Sequence, residues 1–213
     1  MIEGRKMLKA SVVFLLLVLA SQANAQAGNS TRYQAGVHYD FITPAWQTET
    51  DEPMVYEFFS YMCPGCFAFE PVMKNLESQL ESQAKVIRVP VSFYPQWEPH
   101  AKTYHALQMM DQWSAVHSSL FTAIHQQKLP LRSIEDIGAW LEKNHGMDAQ
   151  AFIKMANSFA VNNLLRKDQQ MMKAMQVGTV PTLVVNGQAS PRLNNLGTAQ
   201  AITEATLFLL QEK

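Results

Sequence analysis

Cys63 and Cys66 are the only two cysteines of this 213-residue chain, and Pro64 and Gly65 separate them. An apolar segment ends just before the pair, and a segment of helical periodicity follows it. The first turn of a helix carries partial positive charge, which stabilises a thiolate, the form in which cysteine acts as a nucleophile. A second cysteine one turn later can form a disulfide with the first. The pair therefore predicts thiol–disulfide exchange.

Two other uses of this cysteine pair are less favourable. A structural disulfide that closes so short a loop removes little entropy from the unfolded chain, so it would stabilise the fold poorly. A structural zinc site needs about four ligands. The nearest pair of histidines, His100 and His105, is spaced five residues apart, so the two do not share one face of a helix. We therefore expect no metal and no organic cofactor.

The first 25 residues have the pattern of a signal peptide. Basic residues at positions 5–9 precede an apolar run at 11–20, and residues 23–25 (ANA) form a small-residue cleavage site. The run is too short to span a bilayer, which takes about 20 apolar residues. Residues 2–5 (IEGR) look like the recognition sequence of a protease tag. We expect export with cleavage after residue 25, into an oxidising compartment where a disulfide persists.

The net charge of −1 argues against a nucleic-acid-binding protein, because such proteins are usually basic. The periodicity of the chain predicts a small α/β layer that is interrupted by helices. The predicted elements, in order, are a strand at 55–61, a helix that begins at the cysteines, a strand at 86–93, a helical block of four or so helices within 97–175, a strand at 182–185, an Asn186–Gly187 turn and a last helix from about residue 198.

Two segments of the chain resemble a known family. Residues 57–66 (EFFSYMCPGC) and 178–182 (GTVPT) are similar to the DsbA-like periplasmic thiol:disulfide oxidoreductases of the thioredoxin-fold superfamily. The resemblance implies a thioredoxin-like domain formed by residues 26–95 and 171–213, with an inserted all-helical domain at 96–170. It also implies an enzyme that donates its disulfide to reduced secreted or periplasmic proteins. A membrane protein of the DsbB type would then reoxidise it.

The resemblance also implies roles for individual residues. Cys63 would be the exposed nucleophile and Cys66 the buried resolving cysteine. Pro181 would be a cis-proline that faces the disulfide, and the backbone of Val180 would form hydrogen bonds with a bound peptide. The family usually has histidine where this chain has Gly65. An imidazole there helps to stabilise the thiolate, so glycine implies a weaker oxidant.

Glu57, Arg88 and Glu70 are candidates for an electrostatic or proton-relay role. Glu57 could be an acid at a sheet edge that faces water, or a buried carboxyl with a raised pKa that exchanges protons with Cys66. Arg88, on the next predicted strand, could pair with Glu57, but an arginine does not deprotonate and cannot relay a proton. Glu70 could join this cluster or lie in solvent.

The other histidines, His38, His117, His125 and His145, have no informative spacing and are predicted to be surface or capping residues. Two further functions stay open. One is a reductase or isomerase of the same fold, which Gly65 favours. The chain has no obvious dimerisation segment, which predicts a monomer and disfavours the isomerase. The other is a chaperone-like module that binds peptides without turnover.

Overall fold

Five strands form one mixed sheet in the part of the protein that a computed structural model describes, residues 32–48, 50, 52–80 and 83–212. The predicted signal peptide lies outside these residues. The elements are β1 (Tyr39–Phe41), β2 (Met54–Phe59), α1 (Pro64–Leu80), β3 (Lys85–Pro90), a 3-10 turn (Pro95–Trp97), α2 (Glu98–Met109), α3 (Trp113–His125), α4 (Ile134–His145), α5 (Ala149–Ala156), α6 (Phe159–Ala174), β4 (Thr182–Val185), β5 (Ala189–Pro191), α7 (Leu193–Leu196) and α8 (Ala199–Gln211).

The strands lie in the order β1-β5-β4-β2-β3. β2 and β3 are parallel, with Glu57 opposite Arg88, and β4 runs antiparallel to β2, with Leu183 opposite Glu57. All six residues of β2 are buried, because helices cover both faces of this central strand. The catalytic candidates on β2 and β3 are therefore held in the most enclosed part of the sheet.

The β4–β5 hairpin forms at the predicted Asn186–Gly187 turn. Both residues have positive φ, 51° and 67°, which asparagine and glycine tolerate better than other residues. Gly187 also allows a close approach, because a Cβ at this position would lie 2.6 Å from the carbonyl oxygen of Trp46. The short edge strand β1 has no counterpart in the sequence prediction, since three residues give almost no periodic signal.

Helices α2 to α6 form the helical block between β3 and β4. Position 171, where the thioredoxin-like domain is predicted to resume, lies within α6, and the division into two domains stays a prediction. The core of the block is continuous with the cysteines: Phe59, Tyr61 and Cys66 pack in one buried cluster with side chains of α2 to α5. Across the described residues, no helix combines the length and apolar character needed to cross a membrane.

Candidate active site

Cys63 and Cys66 lie where β2 passes into α1. The amide of Cys63 donates to the carbonyl of Ser60 (3.0 Å), which closes a turn after the strand. Pro64 is the first residue of the helix, a position where the missing N–H costs nothing. The amide of Cys66, one turn later, donates to Sγ of Cys63 at 3.2 Å. The start of the helix thus directs the free amide of Cys66 at the sulfur of Cys63.

The pKa values of the two thiols are shifted in opposite directions. The hydrogen bond from the Cys66 thiol, together with the amides of Cys66 and Gly65, lowers the pKa of Cys63 to about 6 although burial opposes ionisation. The hydrogen bond to Cys63 and burial raise the pKa of the Cys66 thiol. Cys63 keeps 8% of its surface exposed and Cys66 keeps none. Cys63 is less open than the resemblance implied, but it is the accessible sulfur of the two.

The loop before β4 lies against Cys63. The Val180–Pro181 peptide bond is cis, and the Sγ–H of Cys63 donates to the carbonyl oxygen of Val180 over 3.4 Å. A groove of about 690 Å³ begins at this point. Its lining includes Gly65 and Pro181 next to Cys63, the apolar side chains of Phe69 and Ile202, and Arg192. An extended peptide could occupy this groove with one of its atoms next to Cys63.

Comparison with known proteins places the chain in a family. Residues 79–201, more than half of the chain, match the model of the DSBA-like thioredoxin domain. The chain belongs to the DSBA-like thioredoxin domain family. The matched residues begin after Cys66, so the cysteine pair and the family match are independent observations.

Individual DsbA proteins support the same assignment. The thiol:disulfide interchange protein DsbA of Pseudomonas aeruginosa is 28% identical over 203 residues, which cover 95% of each chain. The DsbA of Azotobacter vinelandii is 31% identical over 159 residues, 75% of this chain and 74% of its own. The crystal structure of P. aeruginosa DsbA superposes with a TM-score of 0.81 at 29% identity, and covers 86% of this chain and 96% of its own. The protein is thus a thiol:disulfide oxidoreductase with a thioredoxin fold, a helical insertion and one Cys-x-x-Cys pair.

Gly65 is where this DSBA-like chain departs from the histidine that the resemblance implies. A Cβ on Gly65 would lie 3.6 Å from Sγ of Cys63 and 3.4 Å from Cδ of Pro181, which are ordinary contacts. Position 65 therefore has room for a Cβ, and a side chain built on it would begin next to the sulfur of Cys63.

Gly65→His is expected to make the protein a stronger oxidant, because an imidazolium next to Cys63 stabilises the thiolate and so the reduced form. We expect the reduction potential to rise by about 30 mV, which corresponds to about 1.4 kcal/mol. Equilibration with glutathione buffers measures the potential, and Gly65→Ala controls for the added Cβ. An unchanged or more reducing potential for Gly65→His would show that the dipeptide does not control the oxidising strength.

A buried charge cluster lies beneath the cysteines in this family member. Nη1 of Arg88 is 2.8 Å from Oε2 of Glu57 and 2.8 Å from Oε1 of Glu70, and Nη2 is 3.1 Å from Oε1 of Glu77. Glu57 is fully buried, so the sheet-edge alternative for this residue is wrong. Glu70 belongs to the cluster rather than to solvent. One guanidinium thus contacts three carboxyl groups, and Glu77 was not anticipated from the sequence.

The two inner carboxylates have opposite tendencies to ionise. Burial raises the pKa of Glu57 to about 8 against the charge of Arg88. Among the described residues, neither oxygen of Glu57 accepts a hydrogen bond of good geometry. Burial also opposes ionisation of Glu70, but the hydrogen bond from His117 and the charge of Arg88 outweigh it and lower its pKa. Glu57 is therefore largely protonated at neutral pH, whereas Glu70 is charged.

His117 and His125 join the site, which corrects their prediction as surface or capping residues. Nδ1 of His117 is 2.8 Å from the hydroxyl of Tyr61 and Nε2 is 3.0 Å from Glu70. His117 is only 4% exposed. One signal was available in the sequence: His117, Phe121 and His125 recur every four residues, which places them on one face of α3. That face turns to the cysteines only because of how α3 packs.

Proposed function

We propose that Cys63 and Cys66, as a disulfide, oxidise reduced proteins outside the cytoplasm, with Cys63 as the attacked sulfur. The observation that carries the proposal is the amide of Cys66 directed at Sγ of Cys63, while Cys66 itself is buried. The acidic Cys63 is the better leaving thiol, and a stabilised thiolate favours the reduced enzyme. Both properties belong to a disulfide donor.

The exchange takes place in two displacements. A substrate thiolate attacks Sγ of Cys63, the Cys63–Cys66 bond breaks, and Cys66 leaves as a thiolate that takes up a proton. A second substrate thiolate attacks the substrate sulfur of the mixed disulfide, and Cys63 leaves as a stable thiolate. The substrate loses two electrons and the enzyme gains them.

Glu57 is the group best placed to supply the proton to Cys66. Its carboxyl is close enough to act electrostatically on Cys66, and a pKa of about 8 leaves it protonated at neutral pH. A general acid works best when its pKa lies near the working pH. Arg88 stays charged and steadies the carboxylate that remains after proton transfer, and Glu70 holds Arg88 in place.

The groove beside Cys63 is the proposed binding site for the substrate chain. Gly65, Pro181 and Val180 form its end at the cysteines. The backbone of Val180 can pair with an extended peptide and so hold the substrate cysteine in line with Sγ of Cys63. Pro64 fixes the helix start and keeps the backbone of α1 from rotating away from the thiolate.

The expected partners follow from this chemistry. Reduced secreted or periplasmic proteins are the substrates, and a membrane protein of the DsbB type reoxidises the enzyme. The predicted signal peptide and the DsbA relatives support a periplasmic location. A monomer is expected only because the sequence has no obvious dimerisation segment.

Equilibration with glutathione tests the direction of electron flow. We expect the oxidised protein to transfer its disulfide to reduced, unfolded ribonuclease A, and its potential to lie above the glutathione range. The thiols are counted by mass spectrometry after alkylation. A potential below about −270 mV, the value for thioredoxin, would favour the reductase instead.

A further inference from the structure

His125 is the last residue of α3 and contacts the cysteine segment in two places. Its Nε2 lies 2.8 Å from the carbonyl oxygen of Tyr61. A carbonyl can only accept, so Nε2 carries the proton and donates it. The imidazole also stacks on the ring of Phe67, with centroids 5.2 Å apart and planes at 14°. One side chain from the helical block therefore provides both a directed hydrogen bond and a flat contact.

These two contacts enclose the cysteine pair. Tyr61 precedes Cys63 by two residues, and Phe67 directly follows Cys66. The amide of Phe67 donates to the carbonyl of Cys63 at 3.1 Å, so the position of Phe67 is linked to the backbone that carries the nucleophile. His125 is thus in contact with both ends of the segment whose conformation aims the amide of Cys66 at Sγ of Cys63.

We propose that His125 is a positioning residue that holds the segment from Tyr61 to Phe67 in the conformation that stabilises the Cys63 thiolate. The proposal rests on the proposed role of Cys63 as the attacked sulfur. It makes the helical block part of the redox machinery, because the support of the thiolate reaches the segment from α3. An amide-to-sulfur hydrogen bond weakens steeply when its angle changes, so a small rotation of this segment is enough to weaken the contact.

Three substitutions separate the two contacts of His125. Phenylalanine keeps a ring against Phe67 but cannot donate to Tyr61. Glutamine keeps a donor but has no ring. Alanine removes both. Titration of the thiolate absorbance of the reduced protein is expected to give a Cys63 midpoint near 6 in the parent. His125→Ala should raise it by about one pKa unit, a tenfold lower acid dissociation constant. His125→Phe and His125→Gln should each give part of this rise.

His145→Ala is the matched control. His145 ends α4 in the same helical block, its Nε2 lies 2.9 Å from Oγ of Ser119, and its ring contacts Trp140. Losing this imidazole should leave the Cys63 midpoint and the equilibrium constant with glutathione unchanged. Urea unfolding is measured in parallel, because a purely structural His125 would lower stability without moving either quantity.

The outcomes distinguish this inference from the proposed function. If the phenylalanine and glutamine variants fold and titrate like the parent, His125 does not position the thiolate and the inference is wrong. If the parent itself titrates near ~8.5, the value of an ordinary cysteine, the proposed function fails instead. In that case the glutathione constant of the same variants still tests His125, and equal constants overturn the inference.

Discussion

Cys63→Ser is expected to reduce disulfide transfer to the rate of uncatalysed exchange, because serine cannot form the mixed disulfide. Cys66→Ser should behave differently. The Cys63 thiolate, still supported by the amide at position 66, attacks a disulfide in a partner protein and stays attached, because the buried resolving thiol is gone. Mixed disulfides should accumulate as bands of high mass on non-reducing gels and disappear with reductant.

The variant that lacks both thiols, Cys63→Ser with Cys66→Ser, is the control for the trapping experiment. It should form no high-mass bands and should unfold at a urea concentration close to that of the reduced parent. Transfer by Cys63→Ser at the parent rate would refute Cys63 as the nucleophile. Full biological activity of the double variant would favour the chaperone-like peptide-binding module over an oxidase.

Arg88→Met is expected to lower the free energy of unfolding at neutral pH by about 3–5 kcal/mol, the cost of leaving buried charges without their partner. Arg88 is the one cation that contacts Glu57, Glu70 and Glu77 among the described residues, and its side chain is 4% exposed. Without it His117 is the remaining ion-pair partner of the ionised Glu70 within the described part of the chain. Urea unfolding followed by circular dichroism measures the loss.

Arg192→Met provides a matched control for this loss. Arg192 forms two short bonds to Asp40, but both side chains are about half exposed (40% and 51%), and such pairs contribute about 0–1 kcal/mol. A loss for Arg88→Met no larger than that for Arg192→Met would show that the buried cluster does not depend on its arginine.

The pH dependence of the Arg88→Met loss is a second check. The folded pKa of Glu57 is raised from 4.5 to about 8, so its contribution to stability is present at low pH and is lost as pH rises through this interval. The charge of Arg88 lowers the pKa of Glu57 and Glu70, and burial raises it. Without Arg88, burial therefore favours the protonated form of these carboxyl groups. The loss should therefore be smaller at pH 5 than at pH 8. A loss that grows towards pH 5 would contradict this account of Glu57.

Local sequence patterns predicted much of the fold. The β2 strand, the helix that starts at the cysteines, the Asn186–Gly187 hairpin and the last helix, capped at Thr198, each depend on neighbouring residues. The cysteine pair predicted thiol chemistry for the same reason, since a helix start and two thiols one turn apart suffice. The three-residue β1 was missed because so short a strand is defined by its partner β5 rather than by its own residues.

The sequence by itself therefore determined the Cys-x-x-Cys pair and most of the secondary structures that hold it. The tertiary structure alone decided what surrounds them. Glu77 was not singled out in the sequence, and His117 and His125 were predicted to be surface or capping residues. They meet the cysteine segment and Arg88 because α1, β3 and α3 converge on one point. The contact between Tyr61 and His125 joins residues 64 positions apart, and no local pattern records such distances.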